Sequence, residues 1–254
     1  MQAYIVEEFK RAFISRGTLL SIILVLLSIF IGAIESLLFP DPTNNAFNLL
    51  IQGYSGGTAS ILAMLFPILV SIPYTSSYII DMKSGYLKYI LTRTKITNYI
   101  IIRIIINGLV GGFVLFISLS IAFIMFVLLK GTNSSEIYSQ TIIFKDVLNT
   151  NPYLYVLLIL LNSFVCGFVF ATFGLGFSTL LKNTYLTILF PFLFYILSGT
   201  LLVRFNPLFH AAVTYVLDYG GSSITTVIVY DLIMLLIGIT TFVLGVSKNV
   251  EQEL

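Results

Sequence analysis

Long apolar runs, separated by short polar stretches, dominate the chain. Six of them, at 18–39, 58–80, 100–129, 153–177, 185–203 and 224–246, are long enough to cross a bilayer. A helix needs about 20 mostly apolar residues to cross roughly 30 Å of hydrocarbon. Lipid offers no partner for backbone N–H and C=O groups, so each run is expected to be a helix and the fold an all-α membrane bundle. The first run starts at Thr18 and ends at Phe39 before Pro40. It is longer than a signal-peptide core and lacks a small-residue cleavage site, so it is expected to be retained.

Three shorter patterns lie between these runs. In residues 3–14, Ile5, Phe9 and Phe13 recur at four-residue spacing while Glu7, Glu8, Lys10 and Arg11 fall largely elsewhere. That spacing predicts a short helix in the membrane interface with its apolar stripe in lipid, and Gly17 favours a bend after it. In the 81–99 connection, Tyr86, Leu87, Ile90 and Leu91 sit at i, i+1, i+4 and i+5, one face of a second short helix. Its basic residues, Lys83, Lys88 and Arg93, would face water or a partner. The 204–223 segment, with Asn206, Pro207 and His210, is too apolar for a solvated loop and too short to span twice. A re-entrant or interfacial segment meets both constraints. The polar 130–152 stretch reads as an ordinary external loop.

Composition agrees with lipid as the solvent. Of 254 residues, 58% are hydrophobic and 9% charged, with mean hydropathy +1.03, against about 25% charged in a soluble domain. The net charge of +2 implies no nucleic-acid partner. Cys166 and His210 are the sole residues of their types, which excludes an intrachain disulfide, a CxxC knuckle and a multi-histidine metal site. Rhomboid-like proteases pair a GxSxG serine with a histidine, and His210 sits in an outer segment, so the chain is expected to be no enzyme. Ten Lys and Arg (residues 10, 11, 16, 83, 88, 93, 95, 103, 182 and 248) fall on one side of the six runs and three (130, 145 and 204) on the other. The asymmetry predicts that both ends of the chain, the 81–99 connection and the 178–184 turn are cytoplasmic.

Inside the apolar runs, a few residues stand out. Asp231 lies in the sixth run, where an acid costs about 2.5–3.5 kcal/mol to insert, so it should face the bundle. It reads either as an ion- or substrate-linked carboxylate or as a hydrogen-bonded tie between helices. Pro67 and Pro73 invite kinks in the second run. Ser163, Gly167 and Ala171 form a small-residue stripe suited to close helix packing within the bundle.

Three motifs together resemble those of the membrane subunit of type-2 ATP-binding-cassette exporters, the class of drug-efflux and lantibiotic-immunity permeases. They are Glu7-Glu8-Phe9-Lys10-Arg11 before the first span, Asp81-Met-Lys-Ser-Gly85-Tyr-Leu-Lys-Tyr-Ile-Leu91-Thr after the second, and Asn206-Pro207 after the fifth. The likeness extends along the whole chain in order and spacing. It implies six spans, an elbow helix at 3–16 and a re-entrant segment containing Asn206, Pro207 and His210. It also implies a coupling helix with Asp81, Lys83, Gly85, Tyr86, Leu87, Lys88, Ile90, Leu91 and Arg93, whose apolar members would seat in a groove on a separate cytoplasmic ATPase. Phe66, Tyr74, Tyr78, Phe190, Phe194 and Tyr195 would line a path for an amphipathic substrate. No GxxxxGK[ST] phosphate loop occurs in the chain, so ATP and Mg would be bound by the partner ATPase and no cofactor by this chain. A second permease, identical or a sister chain, would complete the pathway. The competing expectation is a stand-alone secondary transporter or channel built on Asp231.

Overall fold

The computed structural model describes residues 2–39, 45–56, 60–132, 145–206, 209–215 and 223–253. Among them every regular element is helical. Helices α1 (Gln2–Phe13) and α2 (Arg16–Gly32) are separated by a break at Ile14 and Ser15. The break comes two residues before the expected Gly17, because Ser15 caps α2: its Oγ accepts from the Thr18 N–H at 3.0 Å. Then follow α3 (Ile34–Leu38), α4 (Ala46–Ile51) with a π-helical turn (Gln52–Gly56), α5 (Leu62–Ser71), α6 (Ser77–Lys83), α7 (Tyr86–Arg93) and α8 (Ile96–Lys130). The remainder is α9 (Lys145–Thr150), α10 (Pro152–Leu181), α11 (Thr184–Thr200) with a 3-10 turn (Leu202–Arg204), α12 (Ala212–Tyr215) and α13 (Ile224–Glu253).

Five helical stretches among the described residues are long and apolar enough to cross a membrane: Tyr4–Gly32, Ile96–Lys130, Pro152–Leu181, Thr184–Arg204 and Ile224–Glu251. These support a multi-pass membrane protein. The second apolar run differs from the expected single span. It is divided into α5 and α6 by a non-helical stretch at 72–76 that contains Pro73, whereas Pro67 is accommodated inside α5. The 204–223 segment, which follows the 3-10 turn, contains α12 with Ala212, Val213, Thr214 and Tyr215 all buried; 207–208 and 216–222 lie outside the described residues. The 133–144 part of the expected outer loop also lies outside them.

Helix α10 is the axis of the bundle, packed along α8 on one side and α13 on the other. Small residues make this possible. A Cβ built on Gly111 would come within 2.7 Å of the Gly167 carbonyl oxygen, and one on Gly167 within 3.0 Å of the Gly112 Cα. On the other side, a Cβ on Gly238 would come within 2.8 Å of the Phe173 Cα. The stripe through Gly167 thus serves packing inside one chain, since backbones that touch this closely have no room for a methyl group.

We predict that Gly167→Val forces α8 from α10 and lowers stability by about 1–3 kcal/mol, the usual range for overpacking. Thr240→Val, at an exposed position on α13, should be neutral. The unfolding midpoint of the detergent-solubilised protein measures both, and equal midpoints for Gly167→Val and the parent would contradict the packing described.

Candidate functional site

The most highly charged interior of the protein lies where α1, α6 and α8 meet. Arg103 is fully buried in α8, with Glu8 of α1 and Asp81 of α6 nearly so. Arg103 follows Ile96 by seven residues, about 10 Å along the axis at 1.5 Å per residue. A guanidinium at that depth needs partners, because desolvating an unpaired charge costs far more than packing returns. Its Nη2 donates to Asp81 Oδ2 and, at 3.4 Å, to Glu8 Oε1. Its Nη1 donates to the Tyr74 hydroxyl, which in turn donates to Glu8 Oε2. The guanidinium carbon stands 5.2 Å from the Tyr74 ring centroid and 5.1 Å from that of Tyr99, within cation–π range.

A second cation closes the network. Arg11 Nη2 donates to Asp81 Oδ1 at 2.7 Å, its Nη1 lies 3.7 Å from Glu8 Oε1, and its guanidinium sits 5.9 Å from the Tyr86 ring centroid. Two acids therefore face two bases, with Arg103 inside the cluster and the more exposed Arg11 at its edge. The local sequence explains how the parts arrive. Pro73 ends the helical run, and the non-helical stretch after it carries Tyr74 into the cluster. Glu8 and Ala12, four residues apart, face inward, while Ile5, Val6 and Phe9 are exposed. Of the expected apolar stripe of α1, Ile5 and Phe9 are exposed, whereas Phe13 packs against Phe113 and the core, and Glu8 is inside rather than on a wet face.

Helix α7 projects from this cluster. Gly85 turns the chain between α6 and α7 at φ 72°, a left-handed conformation that suits glycine. Leu87 and Ile90 are buried against Tyr78, Ile79, Tyr99, Ile100, Phe242 and Val246 of the same chain. The helix thus spends its central apolar residues on its own core, and Leu91 is partly buried with them. Tyr86, Lys88, Tyr89, Thr92 and Arg93 remain exposed, Tyr89 at 73%. Lys83 is exposed as well, whereas Asp81 belongs to the ion cluster. Tyr89 was not among the residues singled out by sequence. Its position, between Leu87 and Ile90 but on the opposite face, could have identified it.

The six aromatic residues expected along one path occupy four places. Tyr74 belongs to the ion cluster. Tyr78 accepts from Asn249 Nδ2 at 3.1 Å and packs edge-on to Phe242. Phe66 and Tyr195 pack together at 5.6 Å, with Tyr215 stacked on Phe66 at 4.4 Å and His210 5.1 Å from Tyr195. Phe190 and Phe194 surround Phe173 at 5.7 and 4.9 Å. Within one chain each of these rings packs against its neighbours.

Asp231 is buried on the inner face of α13, and its Oδ1 has no hydrogen-bond partner among the described residues. His210 Nδ1 accepts from the Ala212 N–H at 3.0 Å, and Ser198 Oγ lies 3.5 Å from it. Asn206 precedes the undescribed Pro207. The GxSxG spacing occurs once, as Gly53-Tyr-Ser-Gly-Gly57. Gly53 has a packing role there, since a Cβ on it would come within 2.7 Å of the Ile29 carbonyl oxygen. Among the described residues no group of three or more His, Cys, Asp or Glu is placed to hold a metal ion.

The ion cluster makes a sharp prediction. Arg103→Met should strand two buried acids and cost about 3–5 kcal/mol. Replacing all three partners (Glu8→Gln, Asp81→Asn, Arg103→Met) should restore most of that loss. Arg11→Ala, at a position 37% exposed, should cost no more than about 1 kcal/mol. Thermal unfolding in detergent orders the three, and equal losses for Arg103→Met and Arg11→Ala would show that Arg103 is not the centre of the network.

Compared with protein-family models, curated proteins and solved structures, the chain matches none.

Proposed function

We propose that the chain is the membrane-spanning permease subunit of a type-2 ATP-binding-cassette exporter. It moves a hydrophobic or amphipathic substrate out of the cytoplasm or the membrane, powered by a separate ATPase. In this reading α5 and α6 together make the second of six crossings, α1 is the elbow helix, and 204–223 is a re-entrant segment. The charge asymmetry supports a cell-membrane location with the α7 face in the cytoplasm. A second permease, identical or a sister chain, faces this one across the substrate path.

The observation that carries the reading is the form of the α6–α7 connection. It presents an exposed face of Tyr86, Lys88, Tyr89, Thr92 and Arg93 and is tied through Asp81 to α1 and α8. A partner that pushes on such a helix moves bundle helices with it, which is what coupling of ATP hydrolysis to transport requires. Tyr89 and Arg93 have the chemistry of interface anchors, an aromatic ring and a guanidinium. Leu87 and Ile90 act one step back, holding α7 on the bundle. A stand-alone transporter or channel is the second reading, and it is favoured by the buried Oδ1 of Asp231, which has no hydrogen-bond partner among the described residues.

Reconstitution separates the two. The exporter reading expects a soluble ATPase to co-purify with the chain from its native membrane and to drive ATP-dependent efflux in vesicles. Tyr89→Ala with Arg93→Glu should weaken ATPase binding by about 2 kcal/mol, the size of a hot-spot side chain, while leaving the chain folded. If ion or substrate flux proceeds without an ATPase and Asp231→Asn abolishes it, the second reading stands and the first fails.

A further inference from the structure

Among the described residues three acids are buried: Glu8, Asp81 and Asp231. Glu8 and Asp81 are answered by Arg103 and Arg11. Asp231 differs from both. It is 7% exposed, no basic nitrogen among the described residues pairs with it, and its buried Oδ1 accepts no hydrogen bond there. An ionised carboxylate taken from water without a partner is too costly to keep, so something else neutralises this one.

Helix register fixes what surrounds it. Helices α10 and α13 run in the same direction, since a Cβ on Gly238 would meet the backbone of Phe173 and one on Gly245 the side chain of Thr179. Seven residues before Phe173 and Gly238, two turns on each helix, stand Cys166 and Asp231. Cys166 Sγ donates to the Thr214 carbonyl at 2.8 Å, which ties this level to α12. Arg103 lies elsewhere along the bundle. Gly111 is the α8 residue that meets Gly167, and Arg103 is eight residues from it, about 12 Å along the axis. The titratable side chains that α10, α12 and α13 themselves bring to this region are Cys166, Tyr215 and Tyr230. A thiol and two phenols supply no positive charge.

A metal cation would need about six oxygen ligands. The nearby carbonyls of Thr214 and Tyr215 already accept from Cys166, Asn162 and Tyr54, and no metal-holding group of acids, cysteine and histidine occurs among the described residues. A proton needs neither a cage nor a counter-charge. We propose that Asp231 is a proton-binding site, its carboxyl holding an exchangeable proton between α10, α12 and α13. Water entering between these helices would release that proton, so a transport cycle that opens this contact carries a proton with it. The site rests on burial and charge pairing, not on how transport is powered.

Infrared difference spectroscopy of the full-length protein against Asp231→Asn, both in detergent at pH 7, tests the proposal. The carbonyl stretch of an un-ionised carboxyl should be present in the parent, shift in D2O as the proton exchanges, and be lost in Asp231→Asn. Glu8→Gln, which removes a paired acid, should leave that band in place. If Asp231→Asn does not fold, aspartate labelled with carbon-13 at the carboxyl should shift the same band. Dicyclohexylcarbodiimide reports the same proton chemically: the proton passes to a carbodiimide nitrogen while a carboxyl oxygen adds to the central carbon. Peptide mass spectrometry should find Asp231 labelled at least about tenfold more than the ion-paired Glu8 and Asp81. A parent spectrum without an aspartate band of this kind would overturn the proposal, as would a band that does not shift in D2O, the mark of a locked proton. Loss of the band on adding sodium or potassium chloride at constant pH would mean a metal-cation site and overturn it equally. None of these readings involves flux, so a failed proton site is distinguishable from a failed exporter or channel reading.

Discussion

A buried arginine sets the terms for one end of this protein. Arg103 is inaccessible to water in a chain that lives in lipid, and every element near it is arranged so that its charge is answered. The idealised cost of burying one such ion is of order 20 kcal/mol, and only good geometry with opposite charges and hydrogen bonds offsets it. Glu8, Asp81 and Tyr74 supply these from three different parts of the chain. Because each partner is costly to leave alone, none of the three can move far without the others. The N-terminal helix, the α6–α7 connection and the third long apolar run are thereby made into one mechanical unit.

That unit explains why α7 is suited to communicate. Its buried side, Leu87 and Ile90, is fused to the bundle, and its far side is exposed and aromatic. Arg11 extends the ionic network outward to the ring of Tyr86, so the cluster reaches the first turn of α7 directly. Near the middle of the long helices, glycine contacts between α8 and α10 and between α10 and α13 hold the backbones close. Such packing leaves little slack between the helix that carries Arg103 and the helix that carries Asp231. In the proposed exporter reading, displacement of α7 would be transmitted to the bundle through these contacts.

Much of the fold is legible in the sequence because lipid imposes a length and an apolar composition that a hydropathy pattern records. Four of the expected spans, the third to the sixth, are single helical stretches, the first is divided at Ala33 into α2 and α3, and the two short helices are found at 2–13 and 86–93. The second span is not a single helix, since Pro73 interrupts it and the interruption serves to place Tyr74. Helix α4, buried from Ala46 to Leu50, is invisible to a search for spans because six residues are too few. The ion cluster was hidden for another reason. Charge counting treats Arg103 and Glu8 as surface residues, and nothing in their immediate neighbours announces that residues 95 positions apart are partners. Likewise the pattern at 86–91 identifies a helical face but not whether that face meets a partner or the chain's own core. Here the core claims Leu87 and Ile90.

The central claim is that one buried charge cluster joins α1 to the α6–α7 connection. Hydrogen–deuterium exchange on Glu8→Gln tests it most directly, because the substitution is made in α1 and keeps the shape of the side chain. The account predicts faster amide exchange in residues 77–93 as well as 2–13, with residues 224–246 unchanged. Faster exchange confined to 2–13 would mean that the two elements are anchored independently, and the cluster would be a set of separate pairs rather than a joint.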